Sequence, residues 1–140
     1  MEHHVTAVVD APAGTVWKLF TDMERWPELT PSMLEVRRTD AGPLRVGSEA
    51  VVRQPRLPLA RWRVTELDPG RSFTWETRSP GITTAGGHQV TSDGQRTVIT
   101  LSLRQRGPLA WLLGPLTARL ARRYLGMELN GYARAASPAA

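Results

Sequence analysis

The feature that most constrains this chain is the spacing of its turn signals. Asp40-Ala41-Gly42-Pro43, Pro55-Arg56-Leu57-Pro58, Asp68-Pro69-Gly70, Ser79-Pro80-Gly81 and Ser92-Asp93-Gly94 interrupt the sequence at short, regular intervals. Proline presets one turn dihedral and glycine accepts the positive one, so each cluster favours a reversal of the chain. The runs between them, 33–39, 49–54, 61–67, 72–77, 83–91 and 96–104, have the length of strands and leave no room for crossover helices. Consecutive strands joined this closely pair antiparallel, as a meander.

The two ends read differently. Val5 to Val9 is short and rich in β-branched residues, which suits a strand. A helix follows, with Asp10 placed to cap it and Pro12 in its first turn; Val16, Leu19, Phe20 and Met23 give it an apolar stripe. Trp26 to Pro31 has room for one or two further turns before Pro31 stops them. At the other end, a long helix starts at Pro108 and runs to about Ala136, with a kink or break expected at Gly114-Pro115. Leu116, Leu120, Tyr124 and Glu128 recur every four residues, with Leu113 before them and Met127 beside them, while Arg119, Arg122, Arg123 and Arg134 mostly fall off the stripe. Such a face must cover something. The pattern predicts an α+β fold: a curved antiparallel sheet of about seven strands wrapped around a long C-terminal helix, with two short helices after strand 1. One domain is expected over 1–136, with 137–140 as a loose tail.

Composition excludes several functions. The 140 residues contain no cysteine, so disulfides, cysteine zinc sites and thiol nucleophiles are out, and a cytoplasmic location is the default expectation. The N-terminus shows no secretory pattern, and the longest apolar stretch, 108–116, is far below the roughly 20 residues of a membrane span. The net charge of +5 comes from scattered arginines without aromatic stacking partners, so nucleic acid is not an expected partner. No nucleophile elbow, phosphate loop, dinucleotide fingerprint or metal signature is present, and no cofactor is expected. His3-His4 reads as a chain end rather than a metal pair.

Period-two alternation sorts the strand faces. Trp62 and Val64, Phe73, Trp75 and Thr77, Ile99, Leu101 and Leu103, and Ala50, Val52 and Gln54 should face the long helix, joined by His88 and Val90 if the pleat stays in register. A helix across a curved sheet encloses space, which makes Gln54, Trp62, Phe73, Trp75, Val90, Leu101 and Leu120 candidate walls of a ligand cavity. The tryptophans equally suit plain core packing. His88 is the one histidine outside the N-terminal pair, so an imidazole base must be this one, although a buried structural histidine reads as well. Tyr124 and Glu128, one helical turn apart, allow two accounts. Either Tyr124 sits at the rim while Glu128 pairs with an arginine, or a carboxylate whose charged form is disfavoured by burial lies beside a phenol donor. Gly86-Gly87 suggests a bulge or a close backbone approach.

This layout resembles the START/Bet v 1-like (SRPBCC) superfamily and, within it, the bacterial polyketide cyclase/dehydrase branch. The resemblance rests on Val9-Asp10-Ala11-Pro12-Ala13-Gly14-Thr15-Val16-Trp17, Trp26-Pro27-Glu28-Leu29-Thr30-Pro31, Val46-Gly47-Ser48, Gln54-Pro55, Val64 to Arg71 and Phe73-Thr74-Trp75. It implies a helix-grip fold with a deep cavity between sheet and long helix. Members bind lipids, sterols, hormones or polyketide intermediates, and some catalyse cyclisation, dehydration or hydrolysis. No invariant catalytic set carries over.

Two functions follow as expectations. One is a polyketide cyclase/dehydratase-like enzyme on a hydrophobic substrate, with His88 or Glu128 moving a proton and Tyr124 or Gln54 steadying an enolate. The other is a non-catalytic carrier or sensor of a lipid-like or aromatic ligand. Residues 55–58 and Pro80-Gly81 are the expected cavity mouth, and an apolar patch around Trp111 suits core or a homodimer contact in an otherwise monomeric protein.

Overall fold

The computed structural model describes residues 2–93 and 96–137, apart from the side chain of Leu113. Gly94 of the last turn signal, the Leu113 side chain and the tail residues 138–140 lie outside the described residues. Strand β1 (Glu2–Val9) leads into α1 (Ala13–Thr21), a 3-10 turn (Met23–Arg25) and the single-turn α2 (Trp26–Leu29). Six strands follow, β2 (Glu35–Arg38), β3 (Glu49–Arg53), β4 (Ala60–Asp68), β5 (Ser72–Ser79), β6 (Ile82–Ser92) and β7 (Thr97–Arg106), and α3 (Ala110–Ala136) ends the chain.

The strands form an open antiparallel sheet in the order β1-β7-β6-β5-β4-β3-β2. From β2 to β7 each strand pairs with its sequence neighbour, as the turn spacing requires. β1 joins the far edge by pairing with β7, Val5 opposite Leu101. Alternation holds across the sheet: Ala50, Val52, Trp62, Val64, Phe73, Trp75, His88, Val90, Ile99 and Leu101 are all buried on one face. α3 lies across that face and packs on β1, β7, α1 and α2. This is a helix-grip arrangement. Gly131 lets α3 come close, because a Cβ there would stand 2.5 Å from the carbonyl oxygen of Leu29 at the end of α2.

The core is concentrated at the end of the sheet covered by α1 and α2. Val16 and Phe20, one turn apart, are fully buried, as is Trp26, whose indole N–H donates to the Leu19 carbonyl at 2.9 Å. Phe20 meets Tyr132 edge-on at 5.0 Å between centroids, and Trp26 meets Trp75 at 5.3 Å.

Four local expectations are corrected. Asp10 does not cap α1, and Pro12 occupies the N-cap rather than the first turn, with no side-chain cap bond; Thr15 N–H closes the first turn on the Pro12 carbonyl at 3.0 Å. α3 begins at Ala110 rather than Pro108. Residues 107–109 are spent on a turn fastened to the β5–β6 hairpin, where Gly107 has φ 114° and Leu109 N–H donates to the Gly81 carbonyl at 3.0 Å. α3 is not broken at Gly114-Pro115, since a proline in the second turn forfeits a single backbone bond, that to Trp111. Gly86-Gly87 carries no bulge. The register shift lies on β4 between Val64 and Glu66, and the two glycines serve close packing instead, a Cβ on Gly86 standing 3.1 Å from Trp75 Nε1.

Candidate functional site

A cavity of about 230 Å3 lies between the inner face of the sheet and the middle of α3. Val52, Ala60, Trp62, Trp75, Leu101 and Leu103 line it from the sheet, Met33 from the segment before β2, and Leu120, Ala121 and Leu125 from the helix. Its volume falls just below the roughly 300–1,000 Å3 of drug-sized ligand sites, which suits a molecule of one or two rings. The described lining residues include no lysine or arginine. Polar groups enter chiefly near one end, from Gln54, Thr77, Ser79, Thr84, Gln105 and Thr117.

At the wall of this apolar space stands Glu128, with its side chain 10% exposed. Its Oε1 accepts two hydrogen bonds, from His88 Nε2 at 3.0 Å and from the Tyr132 hydroxyl at 2.7 Å. No other described residue bonds to the carboxylate, so Oε2 is left without a protein partner. With the hydrogen on Nε2, His88 Nδ1 presents a buried and unpartnered lone pair. The imidazole is held by stacking: Phe73 lies parallel to it at 4.3 Å and 6°, and Trp26 covers it at 5.3 Å and 24°. The Tyr132 phenol is pushed well above its ordinary pKa by burial, and further by the charge and hydrogen bond of Glu128. It therefore stays protonated and acts as a fixed donor.

Of the candidate residues, His88, Glu128, Tyr124, Gln54, Trp62, Trp75, Leu101 and Leu120 line the cavity. Phe73 and Val90 do not; they are buried in the packed end of the sheet, where α1 and α2 fill the space above the pleat. Glu128 has no arginine partner. Tyr124 is not its phenol either, because the Tyr124 hydroxyl donates to the Pro55 carbonyl in the β3–β4 loop. The phenol on Glu128 is Tyr132, absent from the sequence reading although the four-residue stripe Leu120, Tyr124, Glu128 reaches it in one more step.

The mouth is built where residues 55–58 and the β5–β6 turn face the start of α3. Leu57 and Pro58 line the cavity there, as does Ser79 just before Pro80-Gly81. Arg56 holds φ at 65°, a left-handed conformation uncommon for arginine, and Tyr124 pins the loop one residue before it. Among the described residues no three acidic, histidine or cysteine side chains are grouped to hold a metal. His4 bonds Glu2 at 2.7 Å, and His3 accepts from Arg122 at 3.3 Å.

Comparison with known proteins fits this geometry. A family model described as polyketide cyclase / dehydrase and lipid transport matches residues 2–136. The chain belongs to this family. No functionally curated protein matches the sequence. Among solved structures, the Zhui aromatase/cyclase from Streptomyces sp. R1128 superposes with a TM-score of 0.75 at 19% identity, over 97% of this chain and 93% of that one. The ginseng major latex-like protein 151 from Panax ginseng gives 0.74 at 13% identity, over 99% and 98%. A hypothetical protein from Helicobacter pylori gives 0.79 at 14%, over 96% and 86%. At such identities these likenesses establish the fold, that of the Bet v 1-like (SRPBCC) proteins. This polyketide cyclase/dehydrase family member thus has a ligand-binding fold. No helix among the described residues is long and apolar enough to cross a membrane.

Proposed function

We propose that the cavity binds a small apolar carbonyl compound and catalyses its cyclisation and dehydration, with Glu128 moving the proton. The observation that supports this most is the bonded set His88–Glu128–Tyr132 at the wall of an otherwise apolar space. Burying a carboxylate is costly unless it is well hydrogen-bonded, and here two donors meet that cost while occupying one oxygen only. Oε2 stays available as a base.

In the proposed reaction Oε2 removes a proton from the carbon next to a substrate carbonyl, and the carbon–hydrogen electron pair becomes the enolate. The enolate carbon bonds to a second carbonyl carbon of the same molecule, and the alkoxide so formed takes a proton from the Glu128 carboxyl group. The same carboxylate then removes the remaining acidic proton and passes it to the hydroxyl group as that group's bond to carbon breaks, so that water departs and Glu128 returns to the carboxylate. Trp62, Trp75 and Leu120 hold the chain folded so that its two ends meet. His88 and Tyr132 fix the carboxylate, and Gln54, one of whose Nε2 hydrogens goes to the Ser32 carbonyl at 3.2 Å, keeps its second amide N–H for the substrate carbonyl oxygen as the enolate forms.

A second reading, a carrier or sensor, is favoured by the same tie on Oε1, since a carboxylate bound twice to the frame also serves as a structural strut. A diketone with three methylenes between its carbonyls, phenyl at one end and methyl at the other, separates the two. Attack of its methyl carbon on the phenyl-bearing carbonyl and loss of water yield a six-membered conjugated enone that absorbs in the ultraviolet. The expected result is accelerated enone formation that Glu128→Gln lowers about a hundredfold or more while diketone binding persists. Bound diketone with no acceleration by the wild type replaces the enzyme reading with the carrier.

A further inference from the structure

The antiparallel order places three connections at one end of the sheet: the β3–β4 loop, the β5–β6 turn and the β7–α3 junction. The cavity-lining residues that are exposed, Leu57, Pro58, Ser79 and Thr117, lie at this end. Most of the exposed large apolar side chains gather there as well, Val8 and Val46 lying elsewhere. Leu59 is 61% exposed on the β3–β4 loop beside Leu57, and Trp111 (75%), Leu112 and Leu116 (78%) stand out from the first turns of α3. Leu109, Leu112 and Leu116 recur at helical spacing and stand exposed, Leu116 one turn before the cavity-lining Leu120, while Thr117 and Ala121 lie further round the helix. Further along the helix the exposed positions become arginines: Arg119, Arg122 and Arg123. Between Asp93 and Glu128 the chain carries Arg96, Arg104, Arg106, Arg119, Arg122 and Arg123 and no carboxylate. Of these, Arg106 is paired, with Glu76 at 3.3 Å.

We propose that this collar docks on an anionic lipid bilayer, laying the mouth of the cavity against the membrane surface. The inference rests on the reading of the cavity as an apolar-ligand site, and it supplies the route by which such a ligand enters without crossing water. Charge selects this occupant. A second copy would set the same arginines against one another, whereas anionic headgroups neutralise them while leucine and tryptophan enter the interface below. The anchors sit on two separate elements and project outward, which a fluid surface accepts without shape matching. Leu57 and Tyr124 join the collar to the cavity wall, so docking reaches the loop that Tyr124 holds at Pro55.

The test is flotation of the full, ligand-free chain with vesicles of phosphatidylcholine alone and of phosphatidylcholine with equal phosphatidylglycerol. The protein should float with the anionic vesicles and not the neutral ones, and high salt should release it. Leu112→Ser and Leu116→Ser should each weaken binding about tenfold, and Arg119→Ala with Arg123→Ala by a similar factor together. These residues are solvent-facing, so thermal unfolding should match the wild type. The blue shift of tryptophan emission on binding should vanish in Trp111→Phe. Absence of flotation, or flotation untouched by the leucine substitutions, overturns the proposal. So does a dimer in sedimentation that Leu116→Glu dissociates, since these leucines would then be covered by a second copy. Diketone binding in vesicle-free buffer is read separately, so loss of flotation with binding intact removes docking alone.

Discussion

The two ends of this sheet obey the same alternation and come to opposite results. At the end under α1 and α2, the inward residues Phe73 and Val90 belong to one packed cluster with Phe20, Trp26 and Tyr132, and His88 lies against the same rings at the edge of the cavity. Towards the other end, Trp62 and Leu103 point the same way and border open space, as do Trp75 on its side away from Trp26 and Leu101 opposite His88, because the helix above them presents Leu120 and Ala121. The difference teaches that two short helices, and not the strands, decide where core stops and cavity starts. Glu128 stands at the boundary, bonded to His88 and Tyr132 on the packed side and open on the other.

Substitutions can break this contrast. Trp26→Ala at the packed end should cost about 3–5 kcal/mol by chemical denaturation, since a fully buried ring and its bond to Leu19 are lost. A cost near 1 kcal/mol there would mean the end is looser than drawn.

At the boundary, Tyr132→Phe removes a donor to a buried carboxylate and should cost about 1.5–3 kcal/mol. It should also change the alkaline limb of stability. The folded phenol ionises well above its ordinary pKa of 10.0 whereas the unfolded one does not, so the unfolded state loses its proton first as pH rises. Stability is therefore flat on this account below about pH 10 and falls above it. Tyr132→Phe should lose that part of the fall, and an unchanged alkaline limb would contradict the assignment.

Leu120→Ala, facing existing space, should cost only about 1 kcal/mol while weakening ligand binding, which calorimetry and unfolding together would separate. The smallest effect is expected at the mouth. Tyr124→Phe should leave stability within about 0.5 kcal/mol and speed ligand release as the β3–β4 loop comes free of α3. Slower release would place the gate elsewhere.

Much of this was legible in the sequence. The turn clusters fixed the strand count, and alternation named the inward residues, because burying one face leaves a period-two trace. Depth along the face left no such trace. Phe73 and Val90 share the pattern of Trp75 and Leu101, and only the tertiary position of α1 and α2 assigns them to core. The pairing of His88 with Glu128, 40 residues apart, was likewise beyond pattern, which tells that both face inward and not that they meet. Tyr132 was within reach, since the stripe that picked Tyr124 and Glu128 continues to it. The capping of α1 went unread because Asp10 carries the right chemistry two residues too early.

Native mass spectrometry with organic extraction tests most directly whether the hollow between sheet and helix can be filled. Wild type and Ala121→Trp, which places a large ring where a lining alanine stands, are compared after incubation with a lipid-soluble cell extract. A releasable apolar adduct on the wild type and none on Ala121→Trp is the predicted result. An adduct held equally by both, or by neither, would contradict it.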